Sequence, residues 1–152
     1  MAFAVGMKTT AFFDTKVVKQ SIDRKKRAFL SKFGAFTRRD AQQSIRPAGK
    51  RDISSRPGEP PRGHTKVLKR KIFFAFEPTR ETVVIGPVIV AAAEGKAEAL
   101  EALEEGGRTT VIERLRNGST KKRKVKIAAR PFMLPAFTRQ SANISSIWKG
   151  IG

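Results

Sequence analysis

The sequence predicts an α+β fold with a long N-terminal helix, a small antiparallel sheet, a short central helix and a C-terminal helix. Three observations carry this: helical spacing of apolar residues from Thr15 to Ser44, two β-forming stretches folded back by turns, and a second helical spacing after Pro131. In the first stretch Val18, Ile22, Phe29, Phe33 and Phe36 follow one another at intervals of four, seven, four and three. They form one stripe of a helix, which the basic run Arg24-Lys25-Lys26-Arg27 interrupts. Asp14 or Thr15 is placed to cap it, and Gly34 is a soft point costing about 1 kcal/mol relative to alanine.

Residues 1–14 read as an N-terminal arm, and residues 46–66 as an extended loop carrying Pro47, Pro57, Pro60 and Pro61. Proline removes main-chain donors and pushes the preceding residue to extended geometry, so this loop is expected to stay open and to meet other subunits. Residues 67–76 and 82–85 are β-formers joined by the turn Glu77-Pro78-Thr79-Arg80, with Phe73, Phe74 and Phe76 expected to be buried. Gly86-Pro87 ends the second strand, and Val88-Ile89-Val90 is expected to extend it past a break. Residues 96–105 form an Ala-, Leu- and Glu-rich helix stopped by Gly106-Gly107. Its Glu98, Glu101, Glu104 and Glu105 sit badly for the helix dipole and are expected to meet a basic partner.

Asn117-Gly118 then predicts a hairpin turn between strands at 109–115 and 121–128. Val125 and Ile127 share one face of the return strand, and Lys122, Lys124 and Lys126 share the other. After Arg130-Pro131, the spacing of Met133, Phe137, Ile144 and Trp148 predicts one amphipathic helix, anchored on the sheet by Phe132, Met133 and Phe137. Together these elements read as one domain over residues 1–152.

Charge narrows the function classes. The chain has 152 residues, 32 Lys and Arg against 13 Asp and Glu, and a net charge of +19. The balance is +14 over residues 1–72, −5 over 73–113 and +10 over 114–152. Two basic ends flanking an acidic centre suit either pairing between copies or contact with a polyanion. Cysteine and tyrosine are absent and His64, inside the Pro/Gly loop, is the sole histidine. No nucleophile elbow, phosphate-binding glycine loop or metal-ligand spacing occurs, so no enzyme activity, cofactor or metal is expected. No apolar run is long enough for a membrane span, and the first residues lack a signal-peptide pattern.

Four stretches resemble a family of tail-completion or neck proteins of lambda-like long-tailed phages. They are Ser55-Arg56-Pro57-Gly58-Glu59-Pro60-Pro61 with His64-Thr65, then Val83-Val84-Ile85-Gly86-Pro87, Leu103-Glu104-Glu105-Gly106-Gly107, and Ala129-Arg130-Pro131-Phe132-Met133-Leu134-Pro135-Ala136-Phe137. They occur in the family's order over about residues 15–150, although Lys66 replaces the glycine usual after Thr65. The resemblance implies a non-enzymatic subunit of a six- or twelve-fold ring in the virion, at the head–tail junction. Its neighbours would be connector or head-closure proteins and the tail terminator or tail tube.

On that reading, Pro57, Glu59, Pro60, Pro61, Glu98, Glu101, Glu104 and Glu105 are candidate contacts between subunits or with partners. Arg24, Lys25, Lys26, Arg27, Lys121, Lys122, Arg123 and Lys124 are candidates to face DNA or acidic neighbours. Gly86, Pro87, Gly106, Gly107, Arg130, Pro131 and Phe132 are expected to maintain the fold, the glycines by allowing close approach or unusual backbone geometry. A basic accessory protein that binds nucleic acid is the alternative.

Overall fold

The computed structural model describes residues 14–49, 54–63, 66–88, 96–114 and 118–151. Helix α1 (Thr15–Ser44) is the scaffold, and Asp14 caps it by accepting from the N–H groups of Lys16 and Val17 at 3.0 and 3.2 Å. After it come β1 (Arg46–Pro47), β2 (Arg62–Gly63), α2 (Val67–Arg70), β3 (Ile72–Glu77) and β4 (Thr82–Pro87). The chain continues through α3 (Lys96–Glu105), β5 (Gly107–Arg114), β6 (Thr120–Ile127), α4 (Met133–Ala142) and α5 (Ile144–Lys149). The α+β class holds.

The expected single sheet is instead three separate pairs of strands: β1 with β2 in parallel, β3 with β4 antiparallel, and β5 with β6 antiparallel. Each hairpin closes locally and covers one face with a helix, α1 behind β3–β4 and α3 beside β5. The expected strand at residue 67 begins as one helical turn, because Val67-Leu68-Lys69-Arg70 has no alternation, and that turn lets Leu68 reach the core. The β3–β4 register opposes Phe74 to Ile85 and Phe76 to Val83 on the α1 side, and so sends Phe73 outward. Phe73 is 44% exposed, contrary to the expected buried run, with the Arg38 guanidinium 5.6 Å from its ring centre.

The core gathers Ala41 of α1, Ile45 directly after it, Ile72 of β3, and Phe132 and Ala136 around the start of α4. Two aromatic contacts extend it along α1: Phe33 edge-on to Phe137 at 5.7 Å, and Phe29 edge-on to Trp148 at 5.3 Å. The last helical stretch therefore docks mainly along α1, meets β3–β4 through Phe132 beside Ile72 and through Met133 and Phe137 beside Val83 and Ile85, and breaks at Asn143 into α4 and α5. Gly34 has a packing reason that periodicity does not reveal. A Cβ there would lie 2.7 Å from both Phe74 Cδ2 and Val83 Cγ2, so its absence lets the β3–β4 hairpin lie against the helix.

Candidate functional site

Three of the four recognised stretches meet at one joint. The carboxylate of Glu104, at the end of α3, accepts from the main-chain N–H groups of Phe132, Met133 and Leu134 at 2.8–3.2 Å. Phe132 offers no side-chain cap, so a glutamate 28–30 positions earlier in the sequence satisfies the first turn of α4 and places negative charge at its positive end. Next to it, Arg130 N–H donates to Leu103 O at 2.7 Å, and Arg130 Nε donates to Ser55 O at 3.1 Å. Gly58, at φ +83°, donates to Ala129 O at 2.8 Å. Gly106, at φ +81°, lies so close to Ala129 that an added Cβ would sit 3.0 Å from its nitrogen. The fourth stretch is adjacent, with Val83 and Ile85 lining a groove shared with Met133, Leu134 and Phe137.

The joint revises several expectations. Glu104, expected to meet a partner, is engaged within the chain. The Pro-rich loop is not open: Arg46 and Pro47 pair with Arg62 and Gly63 at its base, and a turn at Arg56–Glu59 docks on residues 129–130. Pro61 is buried, Pro60 is half-buried, and Pro57 and Glu59 stay exposed. Glu101 and Glu105 are exposed, whereas the Glu98 side chain lies outside the described residues. Gly107 has φ +143° and so needs glycine, but nothing lies within 4 Å of a Cβ built on Gly86, so close approach does not explain that residue. Pro87 ends the β3–β4 ladder opposite Ile72, Pro131 is half-buried, and Phe132, 1% exposed, is central to the core. Residues 1–13, His64, Asn117 and the expected extension at Ile89–Val90 lie outside the described residues.

The two basic runs differ in how the fold uses them. In α1, Lys26 pairs with Glu81 at 2.6 Å, which raises the lysine pKa, and Arg27 stacks 5.6 Å from the Phe76 ring. Arg24 and Lys25 remain exposed. Lys121, Lys122, Arg123 and Lys124 are all exposed on β6, where strand alternation divides them between the two faces of the hairpin. Sequence reasoning missed the clamp between α1 and α4: Arg139 donates from two nitrogens to Asp40 at 2.9 and 3.0 Å, and Gln140 adds a third bond. The Arg139 hydrogen bonds hold the Asp40 carboxyl below its usual range. A carboxylate directly after Arg38 and Arg39 was the available signal.

Apolar surface is the remaining feature. Among the described residues, twelve large hydrophobic side chains are exposed, five larger than alanine are buried, and others such as Phe29, Phe74, Phe76 and Ile85 are half-buried. Val84 on the outer face of β3–β4 is 61% exposed and Leu134 beside the groove is 64% exposed. Phe137, Ile144 and Trp148 continue the exposed apolar surface along α4 and α5. Val18 and Ile22 carry an apolar stripe along the exposed first half of α1. No helix among the described residues is long and apolar enough to cross a membrane. Compared with protein-family models, curated proteins and solved structures, the chain matches none.

Proposed function

We propose that this chain is a non-enzymatic, ring-forming subunit of a phage virion, placed at the head–tail junction, where it helps join or finish the tail. The observation that carries the assembly reading is the run of exposed large hydrophobics on α4 and α5, Leu134, Phe137, Ile144 and Trp148, since apolar side chains grouped on two consecutive helices are what a neighbouring copy covers. The four recognised stretches supply the virion context, and three of them share the joint at Glu104, Arg130 and Gly58. Those residues serve to hold the subunit in shape, as expected of a structural protein whose surfaces do the work.

Charge supports the same arrangement. Exposed Glu101 and Glu105 on α3 offer a counterpart to exposed Arg24 and Lys25 on a neighbour's α1, so copies can dock unlike ends together. The mass of the purified chain in solution, by light scattering, tests the assembly: a closed oligomer is expected, and a monomer at all micromolar concentrations overturns it. Protein composition of purified particles tests the location, and absence of the chain from mature virions overturns that part.

A further inference from the structure

We infer that the outer face of the β5–β6 hairpin is a sequence-independent binding surface for the phosphate backbone of duplex nucleic acid. The register decides which residues share that face. Arg108 stands opposite Lys126, Thr110 opposite Lys124 and Ile112 opposite Lys122, so four cations line one side of an eight-residue ribbon. All four are exposed. The reverse face carries buried Thr109 with half-buried Val125 and Ile127 at the end where α3 packs along β5, and exposed Arg123 and Lys121 toward the turn. The hairpin thus rests on the chain at one end of that face and presents the four-cation face along its length.

Two physical arguments select the ligand. Arg108 and Lys126 are directly opposite, a like-charge pairing that destabilises a ladder. Among the described residues no carboxylate forms an ion pair with Arg108, Lys124 or Lys126, and a bound anion relieves that repulsion. The second argument concerns supply. Each copy brings a net +19, so a ring of any size cannot neutralise itself, and the excess calls for a polyanion that is not another copy. A duplex presents one negative charge per about 1.7 Å of axis, and its major groove, about 12 Å wide, admits a two-stranded ribbon. The inference extends the ring reading by assigning its DNA-facing surface to this hairpin rather than to α1, where Lys26 and Arg27 are already engaged by Glu81 and Phe76.

The test is fluorescence anisotropy of a labelled mixed-sequence 24-base-pair duplex titrated with the full chain between 50 and 200 mM salt. The triple variant Arg108→Gln/Lys124→Gln/Lys126→Gln removes three phosphate contacts. Its log–log salt slope is expected to flatten by about 2.7, so its affinity falls about 40-fold less across that range than the parent's. Lys124→Gln alone is expected to flatten the slope by about 0.9, which protects the test against misfolding of the triple variant. The charge-matched control Lys16→Gln/Lys19→Gln/Arg70→Gln is expected to keep the parent slope. Equal flattening in both triple variants overturns the inference in favour of bulk charge, and absence of parent binding at 50 mM salt overturns it outright. A ribbon variant that loses self-association while keeping its salt slope overturns it in favour of an acidic neighbouring copy. Oligomer mass, measured separately on the parent, shows whether the ring reading stands or falls independently.

Discussion

The two antiparallel hairpins are built alike and finished differently. Each has a helix against one side, along β3–β4 and at one end of β5–β6, yet β3–β4 shows Phe73 and Val84 outside whereas β5–β6 shows Arg108, Lys124 and Lys126. Outward residues contribute little to the fold of the single chain, so their chemistry reports on what the surface meets. An apolar outer face suits a neighbouring protein surface, and a basic one suits phosphate. The contrast also shows that a two-stranded unit, marginal alone, depends on its attachment to a helix.

The attachments can be broken one at a time. The largest loss is expected at the joint that ties α3, beside β5–β6, to the rest of the chain. Glu104→Ala leaves the first turn of α4 uncapped and is expected to destabilise the fold by about 2–3 kcal/mol in urea unfolding. For β3–β4 the attachment is Gly34. Gly34→Ala gains about 1 kcal/mol of helix propensity but pushes a methyl against Phe74 and Val83, for a net loss of about 1–2 kcal/mol. A gain in stability would show that the hairpin yields without strain.

The clamp between α1 and α4 holds together the two helices beside which β3–β4 packs. Asp40→Asn is expected to cost about 1 kcal/mol at neutral pH, because the pair is partly exposed to solvent. Since the folded pKa of Asp40 is lowered, its stabilisation is full above the unfolded carboxylate value of about 4 and fades as pH falls through the folded value. Parent and variant should therefore converge on acidification below about pH 4, and a constant gap would remove the ionic explanation. The smallest effect on the single chain belongs to the outer faces. Val84→Lys and Leu134→Lys are each expected to change unfolding stability by less than about 0.5 kcal/mol, while lowering the oligomer mass seen by light scattering. Unchanged mass in both variants would place the neighbour elsewhere.

Local signals made much of the fold legible. The Phe-rich stripe and Asp14 marked α1, and Gly106-Gly107 marked the end of α3. Val125 and Ile127 against Lys122, Lys124 and Lys126 marked the two faces of β6, since alternation along a strand is a property of adjacent residues. The joint was not legible in this way. Glu104 looked misplaced near the C-terminus of its own helix, and nothing within a few residues of it points to Phe132–Leu134. Gly34 looked like a weakness for the same reason, because Phe74 and Val83 come close only once the hairpin has folded against α1.

By itself the sequence determined the α+β class, the helix over Thr15–Ser44, the hairpin pattern and the segregation of charge, all of which arise from spacing, caps, turns and residue type along the chain. Tertiary structure alone decided that the strands form separate pairs, that the Pro-rich loop closes on residues 129–130, and that Glu104 caps a different helix. It also decided that Phe73 faces out and that Arg108 stands with Lys126. These outcomes depend on which distant groups compete for the same donors and the same buried space, and that competition is settled only when the whole chain packs.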